Sequence, residues 1–149
     1  MRAVVQRVSS ARVRIGGKEH TSIGSGLLVL VGVEKNDTET DAATLAKKVV
    51  ELRVFDDDHG RMNRSILDVG GAVLAVSQFT LLGDSRKGRR PSFEKAAPPD
   101  EARHLYDLFV AGIGQAGVEI SMGVFRETMD VELTNDGPVT LLLDTRQAF

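Results

Sequence analysis

Gly26-Leu27-Leu28-Val29-Leu30-Val31-Gly32-Val33, eight residues, is as long as any apolar run in the chain, and it constrains the fold more than any other segment. Bounded by Gly24 ahead and Asn36-Asp37 behind, it has the length of a strand and falls far short of the roughly 20 residues that a membrane-crossing helix requires. A strand with no polar face must be covered on both sides, which places it centrally in a sheet flanked by other layers. The composition can supply that cover, since 42% of the 149 residues are hydrophobic, and a single domain over residues 1–149 with a substantial core is expected. The absence of cysteine excludes a disulfide framework, a thiolate zinc site, an iron–sulfur cluster and a Cys nucleophile. At the N-terminus, Arg2 and Arg7 interrupt what would be the apolar region of a signal peptide, so no membrane association and a cytoplasmic location are expected.

Around the central run the hydrophobic spacing follows two periods. Residues 4–8 and Ala11-Arg12-Val13-Arg14-Ile15, ahead of Gly16-Gly17, alternate with period two and predict a strand, a second strand and a tight turn. Ala42, Leu45, Ala46, Val49 and Leu52 recur at three-and-four spacing behind Thr38, whose capping-box partner is Asp41, and predict a helix over 38–52. A short strand at 53–55 and a strand over 72–80, entered through Gly70-Gly71, come next, then a helix from Pro98-Pro99 to near Gly114 or Gly117. The last third predicts strands at 118–120, 129–134 and 139–143, with Asn135-Asp136-Gly137-Pro138 as a hairpin turn between the last two. The resulting order, β-β-β-α-β-β-α-β-β-β, holds too many directly joined strands for a doubly wound parallel sheet. The expected class is α+β: a strongly curved, mostly antiparallel sheet with two main helices packed outside.

Three features that invite chemistry have simpler explanations. Asp56-Asp57-Asp58-His59-Gly60 offers metal-ligand types, but the calcium-loop template needs a Glu eleven residues after the first Asp, where Leu67 stands. A solvated turn is expected there, with no metal and no cofactor. Gly24-Ser25-Gly26 precedes a strand, so no helix N-terminus is available to receive a phosphate. His20, His59 and His104 stand at no spacing that would pair them with a Ser or Thr nucleophile. A hydrolase built this way lacks an evident protein base and must act on a substrate that is easily cleaved or that assists.

Two segments remain. Ser77-Gln78-Phe79-Thr80 sets two hydroxyls, an amide and a ring at the end of a strand, where alternation would point Ser77 and Phe79 one way and Gln78 and Thr80 the other. Asn135-Asp136-Gly137-Pro138-Val139-Thr140 is, as pattern, a good turn. Between them, Arg86, Lys87, Arg89 and Arg90 put four cations into five positions of a chain whose net charge is −2, which confines nucleic-acid contact by bulk charge to one loop.

Together with Met1-Arg2-Ala3-Val4-Val5-Gln6-Arg7-Val8 and the loop Lys87-Gly88-Arg89-Arg90-Pro91-Ser92-Phe93, these segments resemble the D-aminoacyl-tRNA deacylase family, also described as D-tyrosyl-tRNA(Tyr) deacylases, over the whole chain. The resemblance implies a small α+β fold with a barrel-like sheet, an enzyme that hydrolyses the ester of D-aminoacyl-tRNA and rejects the L-form, and a homodimer with its active sites at the interface. It implies that Gly137-Pro138 is a cis peptide inserted from one subunit into the partner's pocket, that Ser77, Gln78, Phe79 and Thr80 form the catalytic wall around the terminal adenosine and the ester, and that Arg7 fixes the Gly-Pro carbonyls. Arg86, Lys87, Arg89 and Arg90 would contact the acceptor end of the tRNA. One stretch departs from the family pattern: Phe125 is followed by Arg126-Glu127-Thr128 where a small, glycine-containing stretch is usual. That change bears on substrate fit or on the neighbouring Gly-Pro segment.

Such a substrate suits these residues. An aminoacyl ester is an activated acyl group with a vicinal hydroxyl, so positioning a water and stabilising the oxyanion with main-chain amides near Phe79 and Thr80 can supply most of the acceleration. Water attack assisted by the tRNA 2′-hydroxyl is expected ahead of direct attack by the Thr80 hydroxyl, which lacks a base. A filter for D-residues can use only the α-amino group, the Cα configuration and the ester, and backbone carbonyls suit that task. Glycine has no Cβ to exclude, so glycyl-tRNA is expected to be cleaved as well. Two readings of other classes stand beside this one: a non-catalytic RNA-binding module, which six Phe, one Tyr and no Trp supply poorly with stacking platforms, and a Thr80-dependent small-molecule esterase.

Overall fold

The computed structural model describes all residues 1–149, and its first strand, β1 (Arg2–Ile15), runs unbroken for 14 residues where the sequence pattern predicts two strands. It stays continuous because irregular pairing replaces the expected break: the register against β8 (Asp130–Asp144) shifts between Gln6 and Val8 and again between Val8 and Ser10. The shift changes side-chain parity, so Ala3 and Val5 join one core cluster while Ala11 and Val13 join the other.

One edge of β1 carries β8, and the other carries β3 (Gly26–Gly32) against residues 2–8 and β2 (Lys18–Ile23) against residues 11–15, all antiparallel. β3 then pairs in parallel with β6 (Ala72–Ser77), and β6 in parallel with β7 (Glu119–Met122). The sheet is therefore mixed, and it curves far enough for β2 to approach β6 and β7, giving a nearly closed, barrel-like form. Parallel neighbours need crossovers, and the helices α1 (Glu39–Glu51) and α3 (Pro99–Gln115) supply them on the outer face.

Leu45, Val49, Tyr106 and Phe109 from these helices form one cluster with Leu27, Val29, Val31, Val73 and Ala75, while Leu28, Leu74 and Val76 pack inward with Val8, Val13 and Ile23. The Leu/Val run is thus covered on both faces, as its pattern requires. α1 starts with the expected capping box, the Thr38 amide donating to Asp41 Oδ2 at 2.8 Å. Tyr106 ties α3 to β6 by donating its hydroxyl to the Ala75 carbonyl at 2.9 Å, and burial pushes the acidity of that hydroxyl to higher pH. The chain ends are fastened together: the Met1 ammonium sits 2.8 Å from Asp37 and 2.7 Å from Thr145 Oγ1.

β4 (Phe55–Asp56) stands close to the predicted short strand, whereas β2, β5 (Met62–Arg64) and α2 (Ile66–Val69) were not anticipated, being too short or too polar for a periodic signal. No helix is long and apolar enough to cross a membrane.

Gly26 pairs with Ala72 of β6, and a Cβ added there would lie 1.8 Å from the Ala72 carbonyl oxygen. Backbone cannot yield as a side-chain tip can, so Gly26→Ala is expected to destabilise the domain by about 3 kcal/mol or more. The urea midpoint measures this; a loss below about 1 kcal/mol would contradict the packing described.

Candidate active site

β3, β6 and β7 run parallel, and the chain leaving their carboxyl ends encloses a cavity of about 800 Å³. Open sheets with parallel strands place ligand sites at these ends. Val33 follows β3, Ser77 ends β6 and Gln78 follows it, and Phe125 lies just beyond β7, while Phe93 and Ala97 ahead of α3 and Pro99 at its start close the far side.

β6 ends at Ser77 rather than at Thr80. The Gln78 amide still donates to the Val31 carbonyl at 2.7 Å, and the chain then turns into a 3-10 helix over Phe79–Leu82. Strand alternation therefore does not divide these residues, and Ser77, Gln78, Phe79 and Thr80 all line the one cavity. The turn has a chemical consequence: the amides of Phe79 and Thr80, in the first turn of the helix, donate to no carbonyl or side chain. Adjacent unpaired donors on a cavity wall meet the main requirement for stabilising an oxyanion. The Thr80 hydroxyl accepts from Gln78 Nε2 at 3.0 Å and has no carboxylate or imidazole partner, so nothing prepares it as a nucleophile.

The exposed rings of Phe79 and Phe93 meet edge to face, centroids 5.1 Å apart, and form an aromatic ledge on the cavity wall. Phe93 also follows the basic loop. Asp84 and Ser92 exchange two backbone hydrogen bonds of 2.8 Å that close the loop beside the cavity. Arg86 folds back onto Asp84, and its hydrogen bonds hold that carboxyl well below the usual carboxylate range. Lys87, Arg89 and Arg90 pair with no carboxylate and are the uncommitted cations of the loop, whereas Arg86 is already engaged.

Arg7, Gly137 and Pro138 do not line this cavity. The segment expected to be a hairpin turn is a bulge instead: β8 passes through it, with Asn135 opposite Val8 and Thr140 opposite Gln6, so residues 136–139 arch out against Arg7 alone. The turn-rich sequence fits both structures; what decides is that both halves of β8 pair with β1. Gly137 has φ +123° and its bond to Pro138 is cis. A Cβ there would lie 3.1 Å from the Val139 nitrogen and 3.2 Å from the Arg7 guanidinium, so only glycine fits.

The Arg7 side chain is buried and donates from Nε to the Asp136 carbonyl at 3.1 Å and from Nη1 to the Val54 carbonyl at 2.6 Å, with the Asp56 and Asp136 carboxylates each 3.5 Å away. It holds the bulge at the carbonyl that precedes Gly137, and leaves Gly137 and Pro138 exposed.

The other sequence candidates are occupied locally. Asp57 accepts from the Arg61 and His59 amides at 3.0 and 2.8 Å, which hold its carboxyl below the usual range, and Asp58 pairs with Arg64 at 2.9 Å. His104 meets Glu39 at 3.0 Å on the outer helices. The cavity wall also includes Ala96, Ala97, Ala102, Met129 and Val131, which sequence reasoning did not single out. They come from separate segments, and no local pattern marks them.

Comparison with known proteins assigns the class. A family model described as D-Tyr-tRNA(Tyr) deacylase matches residues 4–144. A D-aminoacyl-tRNA deacylase of Geobacter sulfurreducens is 58% identical over 146 residues, covering 98% of this chain and 96% of the relative. One of Thermus aquaticus is 57% identical over 147 residues, covering 99% and 97%. The solved structure of c-Myc DNA unwinding element binding protein has a TM-score of 0.91 at 38% identity, covering 97% of this chain and 99% of that one. The chain belongs to the D-Tyr-tRNA(Tyr) deacylase family.

Arg7→Ala leaves buried carbonyls unsatisfied and should cost about 2–4 kcal/mol. Arg7→Lys, whose three N–H donors radiate from one nitrogen and cannot span both carbonyls, should restore less than half of that loss. Paired urea titrations of the two variants check this, and full recovery by lysine would show that charge alone matters at this position.

Proposed function

We propose that the chain hydrolyses the ester bond of D-aminoacyl-tRNA, releasing tRNA and amino acid, and spares the L-aminoacyl form. The observation that carries this reading is the pair of unpartnered amides at Phe79 and Thr80, set in a cavity without a histidine, in a chain of this family. The ester carbonyl oxygen accepts from those two amides, and water attacks the carbonyl carbon. The tetrahedral oxyanion then collapses, expelling the ribose oxygen, which leaves protonated. The neighbouring ribose hydroxyl assists the attacking water, because Thr80 has no base to activate it. No metal or cofactor enters this scheme. The terminal adenosine lies against the Phe79–Phe93 ledge, a cavity of about 800 Å³ being ample for a nucleoside with its aminoacyl group.

The working unit is a homodimer. Gly137 and Pro138 are exposed on a strand whose outer edge is unpaired, away from their own chain's cavity. Their carbonyls enter the partner's cavity and accept from the substrate ammonium, so that an L-side chain meets backbone while a D-side chain points out. Lys87, Arg89 and Arg90 take phosphates of the acceptor end.

The decisive assay offers matched D- and L-aminoacyl-tRNA, glycyl-tRNA and a free D-aminoacyl ethyl ester. Cleavage of the D and glycyl substrates with L spared is expected, and Thr80→Ala should retain at least about a tenth of the wild-type rate if water is the nucleophile. Binding without turnover would instead indicate an RNA-binding module, and tRNA-independent cleavage abolished in Thr80→Ala would indicate a Thr80 esterase.

Reversing Arg89 and Arg90 to Glu should raise KM for D-aminoacyl-tRNA and flatten its log–log salt dependence by roughly 1 to 2 units, while kcat stays within about twofold. An unchanged salt slope would remove the loop from the interface.

A further inference from the structure

Sixteen residues line the active-site cavity, and only Arg126 and Glu127 among them carry a charge. They occupy a tight turn between β7 and β8, closed by the Glu127 amide donating to the Val124 carbonyl at 3.3 Å. Arg126 holds φ +67°, the left-handed region that favours glycine, so a bulky cation stands where the backbone gives no reason for one. Its guanidinium has no carboxylate within ion-pair distance, that of adjacent Glu127 included, and the residue is exposed. Contrast Arg86, whose charge Asp84 consumes, and Arg103, which covers the Phe125 ring from 5.9 Å. An uncommitted, delocalised cation on a pocket wall whose one other charge is the Glu127 carboxylate is a site for an anion that offers two oxygens to the guanidinium fork, and a phosphodiester, with its two non-bridging oxygens, is the anion of that kind that accompanies a terminal nucleoside.

We propose that Arg126 is a substrate-positioning residue that grips the phosphodiester on the 5′ side of the terminal adenosine. This rests on the reading above that the tRNA 3′ end enters the cavity. With the ester against the Phe79 and Thr80 amides and the base on the aromatic ledge, this phosphodiester is the first charged group on the path out of the pocket. Arg126 lies on the cavity wall, whereas the cations of the 86–90 loop lie outside it and meet phosphates further along. Arg126 therefore sets the depth at which the nucleoside seats, and the loop adds affinity that is indifferent to that depth.

The test uses three substrates that differ in phosphate: D-aminoacyl-tRNA, a D-aminoacylated cytidylyl-adenosine with one phosphodiester, and D-aminoacyl-adenosine with none. Arg126→Gly suits the left-handed backbone and should fold with an unchanged thermal midpoint. It is expected to raise KM three- to tenfold for the first two substrates and to leave D-aminoacyl-adenosine unchanged, with Arg126→Lys recovering part of the loss. The salt dependence for the dinucleotide should fall by about 0.7 log units per log unit of salt, one single-strand phosphate contact. Equal effects on all three substrates, or none on any, overturn the assignment. Wild-type protein that cleaves none of the three overturns the parent reading and this inference with it, and so separates that failure from a failure of Arg126 alone.

Discussion

The bulge of β8 opposite Arg7 is the constraint around which the rest of the molecule is arranged. Both edges of β1 are occupied along most of its length, by β8 on one side and by β3 and then β2 on the other. No part of that ladder can slide to absorb surplus residues. Between the pairs Gln6–Thr140 and Val8–Asn135, β8 takes five steps where β1 takes two, so three residues must leave the plane of the sheet. The carbonyls freed by that excursion need donors that are not strand amides. Arg7 supplies one to the Asp136 carbonyl, at the cost of burying a guanidinium, and that carbonyl, the Val54 carbonyl of another segment and two half-exposed carboxylates offset the cost. Planarity and a fixed fork make arginine the fitting residue, since one side chain has to reach two carbonyls from separate segments.

The same irregular stretch of β1 also shapes the pocket. Because parity changes past Val8, the second half of β1 turns its apolar residues toward β6, and the sheet closes over Leu28, Leu74 and Val76. The outer face is meanwhile covered by α1 and α3. The parallel strands are thereby sealed on both faces and left open only at their ends, and the cavity lies at the carboxyl ends. There β6 stops after Ser77, and the 3-10 turn withdraws the Phe79 and Thr80 amides from any ladder. Donors that a sheet would have consumed become available to a ligand because the strand ends early.

Much of this was legible in the residues, and the misreadings have identifiable causes. The Leu/Val run, the capping box at Thr38 and Asp41, and the Pro98-Pro99 start of α3 are local signals with local causes, and the structure agrees with each. Asn135-Asp136-Gly137-Pro138 was misread because turn and bulge demand the same residues; what distinguishes them is that residues 130–134 and 140–144 both pair with β1, a contact no local pattern encodes. Phe79 and Thr80 were assigned to a strand because a β-prone sequence continues past the point where β3, the neighbour across the ladder, ends at Gly32. At the basic loop, four cations and Asp84 are legible, but not that Asp84 folds against Arg86 and neutralises it. The cavity wall contributed by 93–102 and 125–131 exists only after α3 and β8 have packed.

Charge is where these levels meet. A net charge of −2 argues against affinity for a polyanion only if charges act at a distance, and at physiological ionic strength their reach is about 8 Å. Within that radius arrangement outweighs the total. Arg2, Arg12, Arg14, Arg64 and Arg146 are each set against a carboxylate, and Arg7 is spent inside the fold. Lys87, Arg89, Arg90 and Arg126 are not, and they stand on the cavity wall or on the loop that leads from it. An acidic chain thus keeps a locally cationic approach to a pocket whose lining is uncharged apart from Arg126 and Glu127 on one turn. That combination suits a substrate whose phosphates must be held and whose ester must meet only backbone dipoles. A cation deep in the pocket would bind ester and oxyanion with less discrimination between them, whereas amides fixed by a helical turn favour the transition state without rearranging to do so.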